Sequence, residues 1–504
     1  MKKALWIGIG LLAVVVVAVL LLPFFIDLGT HKARYLPLVE DALQRKVDIG
    51  QVRLRIIPAP SIRISALNVA DNPAFSKEAF FTAQQISIQL KFLPLLKGQF
   101  QVDEFILEKP AVNLLKKPDG TFNFADMGKK GKKEEKVKKK EDAPKAKEPV
   151  KFSELIPTKV RLEGGTITLQ TLGQKPLKIQ GIDLSLEDFS TERPFPYKVA
   201  LKPADLKPIT LEGLLAYDES RGTLNLKENY LKAQDVKFAV NGTVSNLARV
   251  PQVNLSLAND GFETKPIFQL LSAADALPKG MEIAGPLGLR VALTGPSDKL
   301  TSQINADIKG LKVNDPRSLN GTIVGKTLLT LVLGGAAPLT QTMRGNGNVT
   351  IKDGVLTNMD LVSKIQQITG LIGLPQDQRT GATSFKSLET DFTLGGGIAD
   401  IKRIFLDSPT MEAQGGGKMT LSSPSLDLGI DVALSPQASA RAGSGRAATF
   451  FKDSQGRIVV PLKITGPANK PSVNLDNEKL IKKGTDQLLE KGKGQFFERL
   501  FRRK

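Results

Sequence analysis

A five-residue pattern, proline–any–aliphatic–polar–aliphatic, recurs five times along this chain. It reads Pro60-Ser61-Ile62-Arg63-Ile64, Pro110-Ala111-Val112-Asn113-Leu114, Pro251-Gln252-Val253-Asn254-Leu255, Pro424-Ser425-Leu426-Asp427-Leu428 and Pro471-Ser472-Val473-Asn474-Leu475. Proline has no N–H to give to a sheet ladder, so it belongs at the start of a strand and not at its centre. The alternation that follows gives each strand one apolar and one polar face. A chain that repeats one strand-opening unit is expected to build a long repetitive sheet rather than a catalytic pocket. A second repeat points the same way. Leu293-Thr294-Gly295-Pro296-Ser297-Asp298-Lys299 is echoed by Ile464-Thr465-Gly466-Pro467-Ala468-Asn469-Lys470, each closing an alternating strand with a Gly-Pro turn.

Other stretches alternate with the same period: 85–92, Val160/Leu162, Ile167/Leu169, Leu177/Ile179, Ile182/Leu184/Leu186, Val349/Ile351, 426–434 and 458–464. Between Ile179 and Ile182 the phase slips by one, which predicts a bulge at Gly181. Helical spacing is confined to short segments, at 28–47 (Leu36, Val39 and Leu43 on one face), 264–277 and 359–372. Gly395–Gly397 and Gly415–Gly417 lack the Lys-Ser/Thr of a phosphate loop and are expected as turns between strands.

Ala4 to Ile26 is free of charge over 23 residues, long enough to cross a bilayer as a helix, with Trp6 near one interface. Lys2 and Lys3 precede it, so the positive-inside rule places the N-terminus in the cytoplasm and the rest across the membrane. A cleaved signal peptide is the rival. It would carry a shorter apolar core and a small-residue cleavage site, and this stretch ends in Leu22-Pro23-Phe24-Phe25-Ile26. The segments are then an anchor (1–27), an N-terminal β unit (28–128), a linker (129–149), a β-rich body (150–476) and a tail (477–504).

The net charge of +19 sits largely in two places. Residues 129–149 hold ten Lys against five acids, and residues 477–504 hold nine Lys/Arg against four. The first is a low-complexity run expected to be disordered. The second places Phe496, Phe497, Leu500 and Phe501 among its cations, as in an interfacial helix; packing on the mouth of the sheet is the alternative. With aromatics at 6% and no basic stripe interleaved with them, a membrane surface is the expected partner and nucleic acid is not. Cysteine is absent and the one histidine, His31, lies beside the anchor. A catalytic triad would have to be built on His31, with no G-x-S-x-G motif present, no thiolate metal site can be assembled, and no enzyme, cofactor or metal is expected.

One block of residues resembles a known family in order and spacing. Asp48–Leu54, Pro58–Ile64, Val69–Ser76, Phe80–Phe92, Leu93–Gly98, Leu107–Val112 and Pro118–Phe124 are similar to the AsmA family of Gram-negative envelope proteins. Gly347–Leu356, Thr383–Phe392 and Leu406–Leu421 resemble its second region. Ala74-Phe75-Ser76 and Asn123-Phe124 depart conservatively from the family's Gly-Phe-Ser and Asn-Trp. The resemblance implies an inner-membrane anchor, a periplasmic β-rich body and a part in outer-membrane biogenesis. In larger relatives an open β-groove carries phospholipid acyl chains.

The fold expected is therefore mainly β: a transmembrane helix, then an elongated, curved, repetitive antiparallel sheet with a few short helices. Too few helices exist to cover every apolar strand face, so the sheet must close as a sandwich or curl into an apolar trough. Sequence alone leaves both open. For a trough, the candidate lipid-facing wall is Ile62, Ile64, Ile86, Ile88, Leu90, Phe92, Val112, Leu114, Val253, Leu255, Leu426, Leu428, Val473 and Leu475. The functions to separate are phospholipid binding or transfer between the envelope membranes, assembly or quality control of outer-membrane β-barrels through strand edges, and a structural envelope role. Phospholipid, the membrane and other envelope proteins are the expected partners.

Overall fold

The structure, a computed structural model, describes residues 32–55, 59–96, 101–127, 157–203, 207–247, 250–273, 277–335, 337–371, 374, 381–442 and 446–482. The expected anchor, the lysine-rich run and the tail beyond residue 482, Phe496, Phe497, Leu500 and Phe501 included, lie outside them. Among the described residues no helix is long and apolar enough to cross a membrane. The chain is mainly β, with 24 strands and seven short helices among the described residues. It divides into two compact units, Met1–Gln234 and Asp235–Lys504.

The N-terminal unit begins with α1 (Lys32–Leu43), β1 (Val47–Asp48) and β2 (Val52–Arg55), both of which pair with β3 (Ser61–Ala70). Next to β3 lies β4 (Ala79–Leu90), then the short helix α2 (Phe92–Leu96) leads to β5 (Val102–Glu108) and β6 (Ala111–Lys116). β5 and β6 act as one strand along β4, interrupted where Lys109 takes a φ of 44° before Pro110. Four more strands follow β7 (Lys159–Thr171) in antiparallel order: β8 (Leu177–Leu186), β9 (Phe195–Leu201), β10 (Ile209–Asp218) and β11 (Thr223–Ala233).

The sheet is mixed rather than purely antiparallel, because β5 and β6 both run parallel to β7. Parallel neighbours need a crossover of a dozen residues or more, and the stretch between Lys116 and Lys159, which holds the lysine-rich run, supplies it. Strands on either side of that run thus belong to one sheet. Gly181 has a φ of 71°, and the β7–β8 register slips opposite it, as the phase change predicts.

The C-terminal unit is an antiparallel meander. It runs through β12 (Val236–Ser245), β13 (Gln252–Glu263), α3 (Lys265–Ala273), β14 (Glu282–Ala284), β15 (Pro286–Pro296), β16 (Leu300–Asp315) and β17 (Leu319–Leu333). It continues through α4 (Leu339–Thr342), β18 (Arg344–Leu356), α5 (Leu361–Thr369), β19 (Thr383–Gly395), β20 (Ile398–Asp407), β21 (Met411–Thr420) and β22 (Ser425–Leu434). It ends with α6 (Pro436–Arg441), α7 (Arg446–Phe451), β23 (Val459–Pro467) and β24 (Ser472–Leu475). α5 is delimited as its sequence dictates: the Asp360 side chain accepts from Ser363 N at 2.9 Å, and Gly370 closes the helix in the left-handed region.

All five prolines of the repeat stand immediately before a strand: β3, β6, β13, β22 and β24. The two repeats also prove to be partners. Gln252-Val253-Asn254-Leu255 lies against Pro296-Gly295-Thr294-Leu293, and Ser425-Leu426-Asp427-Leu428 lies against Pro467-Gly466-Thr465-Ile464 in the same register. The proline carbonyl completes each ladder, Pro251 O accepting from Ser297 N at 2.8 Å and Pro424 O from Ala468 N at 2.9 Å. Gly396 and Gly397 form the β19–β20 turn, as expected, with Gly395 ending β19. Gly415–Gly417 does not: it lies inside β21. A Cβ on Gly415 would stand 2.1 Å from the Gly429 carbonyl oxygen, so the requirement is close backbone approach, not turning.

An apolar sheet face as the candidate functional site

Residues opposed across a ladder share a face. In the N-terminal unit the pairing links Val52 to Ile64, Ile64 to Ile86 and Ile86 to Leu107. The line continues from Leu107 to Leu162, Leu184, Val199, Leu211 and Leu231. One side chain from every strand crossed is therefore aliphatic and on one face. A second line, Leu54–Ile62–Ile88–Phe105–Val160–Leu186, runs beside it.

What covers this face changes along it. At β1–β4, Leu36 and Leu43 of α1 pack on a cluster built from Val47, Ile49 and Val69, with Val52 and Ile64 against it. A helix about 10 Å across can shield only about two strands spaced ~4.8 Å apart. Beyond it, Leu107, Leu162, Leu184, Val199, Leu211 and Leu231 are half-buried, not enclosed. Tyr197, opposite Leu186, is the polar exception: it is 8% exposed, and its hydroxyl is buried without a hydrogen-bond partner. Burial pushes that phenol up to about 12.

The C-terminal unit treats its apolar face in two ways. Leu257, Val291, Ile304 and Leu329 oppose one another on β13, β15, β16 and β17 and stay half-buried. Further on, Ile351, Leu406, Val432 and Leu462 enter a closed core capped by Leu361, Val362 and Ile365 of α5, Ala438 of α6 and Phe451 of α7. Ile365, Val432, Val460 and Leu462 are fully enclosed there.

The sequence candidates are distributed over these regions. Ile62 faces Ile88 and Ile64 faces Ile86, side by side on the N-terminal unit's apolar face. Val112 stands opposite Phe81 and Ile167, and Leu114 opposite Leu169. Leu90 is buried, and Phe92 lies in α2, half-exposed, rather than in the strand. Val253 and Leu255 pair with Gly295 and Leu293 in the other unit. Leu428 and Val473 are buried in the capped core, with Leu426 and Leu475 packed against it. Leu107, Leu162, Leu184, Val199, Leu211 and Leu231 lie outside the candidate wall expected from the sequence, and none of their strands opens with the proline repeat. Their period-two alternation was the available signal.

The opposite face of the N-terminal unit is charged. A cleft of about 690 Å³ there is lined by Arg161, Glu163, Asp183, Lys198 and Lys202. Three ion pairs lie along it: Arg161 Nε with Glu104 at 2.6 Å, Lys198 with Glu212 at 3.2 Å, and Lys202 with Asp183. Hydrogen bonds from Lys232 and Lys198 hold the Glu212 carboxyl below the usual carboxylate range, and Glu104 raises Arg161. These three pairs satisfy one another across the cleft. Among the described residues no group of three acidic or histidine side chains is placed to hold a metal ion.

The arrangement can shelter something apolar on one face while its other face stays in water. The sequence profile of the AsmA family matches residues 1–227. Among curated proteins and among solved structures, none matches this chain.

Proposed function

From the membership of this chain in the AsmA family, carried by its residues 1–227, we propose that it works in the bacterial envelope by binding phospholipid acyl chains on the apolar sheet face and serves outer-membrane biogenesis. In this reading residues 1–27 anchor it in the inner membrane and the β units lie in the periplasm. The observation that carries the proposal is the aliphatic line from Val52 to Leu231. It is continuous, and past α1 it is half-buried rather than enclosed. Eight strand-to-strand steps of ~4.8 Å make it roughly 38 Å long at most. One leaflet's acyl chains occupy about 15 Å, half of a ~30 Å hydrocarbon core, so a chain fits along it with room to move.

The closed core of the C-terminal unit supports the contrast. The fold supplies helices where it encloses an apolar face, and β7–β11 has none among the described residues. The test is the phospholipid retained by protein lacking residues 1–27, measured by mass spectrometry. Retention above a control protein is expected, with loss in Ile88→Asp and Leu184→Asp. Retention no greater than the control, or unchanged in both variants, rejects lipid binding on this face.

A further inference from the structure

On the charged face of the N-terminal unit one patch breaks the rule that charges are paired. Arg53 of β2 stands directly opposite Arg63 of β3, and Arg55 follows two residues on. Like charges facing each other across a ladder are destabilising unless something between them carries the opposite sign. None of the three makes an ion pair among the described residues, and the Arg63 Nε is buried without a hydrogen-bond partner. With Gln51, Ser65 and Gln85 they line a cavity of about 180 Å³, room for about six waters at ~30 Å³ each or for one phosphate group. The acid beside the patch, Glu108, is already engaged by Gln85 Nε2 at 2.7 Å. Guanidinium groups present donors in a planar fork that matches phosphate oxygens.

A separate feature lies at the same end of the sheet. Leu90 N donates to Pro60 O at 2.8 Å, which sets the start of the β4–β5 turn beside Pro60, next to Ser61, the β3 residue that faces Arg55. On that turn α2 holds out Phe92 and Leu93, 50% and 72% exposed. Apolar side chains at a tip with unpaired cations behind them are complementary to the headgroup layer of an anionic membrane.

We propose that this end of the N-terminal unit docks on an anionic phospholipid surface: Phe92 and Leu93 enter the headgroup layer, and Arg53, Arg55 and Arg63 hold a headgroup phosphate. The site is on the face opposite the aliphatic line and does not depend on that line carrying lipid.

The chain has no cysteine, so one label reports one place. The full chain carrying Leu93→Cys with a nitroxide is placed in nanodiscs of phosphatidylcholine alone or with phosphatidylglycerol, and the label's immersion depth is measured. Ser423→Cys, in an exposed turn of the other unit, is the control. Immersion at residue 93 only with the anionic lipid is expected. Replacing all three arginines by alanine should weaken the effective affinity for the anionic surface by roughly 100-fold, or abolish immersion. Arg53 and Arg55 are exposed and Arg63 is half-buried, and an unchanged circular dichroism spectrum confirms that the variant folds. A label that stays in water, or is immersed equally without anionic lipid or without the arginines, overturns the proposal. A parallel arm adds inorganic phosphate to the detergent-solubilised chain and follows hydrogen exchange over 51–65. Protection there, with residue 93 in water in every nanodisc, assigns the patch to free phosphate and equally overturns membrane docking. The acyl-chain proposal is read separately, from retained lipid in Leu184→Asp.

Discussion

Leu462→Ala and Leu184→Ala delete the same atoms from the same kind of position, an inward aliphatic on a sheet, and should differ severalfold in cost. Leu462 is fully enclosed beneath α5–α7, where truncation loses both the transfer free energy and the contacts around a cavity that cannot refill. Such sites lose about 3–5 kcal/mol. Leu184 is half-buried on the stretch of sheet beyond α1. Its truncation removes the equivalent of two to three methylenes at ~0.8 kcal/mol each, of which only part was shielded from water, and it opens to solvent rather than leaving a void. About 1 kcal/mol is expected. The assay is urea unfolding of delipidated protein, followed by hydrogen exchange in peptides covering 457–467 and 180–201, so that each unit reports its own transition. A loss of 3 kcal/mol or more for Leu184→Ala would mean that the face is closed, and the sheltering function would fall with it. A loss near 1 kcal/mol for Leu462→Ala would refute the capped core.

Tyr197→Phe deletes a buried hydroxyl that has no partner, and should leave stability unchanged or raise it by about 1 kcal/mol in the same unfolding assay. The Tyr197 phenol is raised to about 12 from an ordinary 10, so its contribution is complete below pH 10 and is lost as pH climbs towards 12. A thermal melt series across that window should show the decline in the parent and a smaller one in Tyr197→Phe. At the acid end, the hydrogen bond from Arg45 holds the Asp126 carboxyl below its ordinary 3.8. That contribution is present above pH 3.8 and fades as pH falls below it, so Asp126→Asn should flatten the acid limb of the melting curve. Gly415→Ala sets a Cβ 2.1 Å from a neighbouring carbonyl oxygen and should destabilise the C-terminal unit by about 1–3 kcal/mol or more, read as a lower urea midpoint.

Much of the local structure was legible because it depends on neighbours in sequence. Proline before an alternating run marked the starts of five strands, since a missing N–H can be tolerated only there. Helical spacing over 359–372 marked α5, which Gly370 closes at its C-terminus, and Gly181 announced its bulge. The candidate wall was legible only in part. Ile62, Ile64, Ile86 and Ile88 came together because β3 and β4 are a local hairpin. Leu428 and Val473, written in the same pattern, are buried under helices that follow elsewhere in the chain. Period-two alternation says that a face is apolar and is silent about what lies on it.

The amino-acid sequence by itself determined that this chain forms many two-faced strands, that chemistry based on cysteine or a histidine cluster is absent, and that residues 1–227 match the AsmA family. The tertiary structure decided which strands are neighbours. It brought the proline repeat against the Gly-Pro repeat some forty residues away, set β7 parallel to β5 and β6 across the lysine-rich stretch, and joined one aliphatic residue per strand into a continuous line. It also decided where that face is capped and where it is half-open. The physical reason is that strand propensity and alternation are settled within a few residues, whereas pairing and covering depend on hydrogen bonds and burial between segments far apart in the chain.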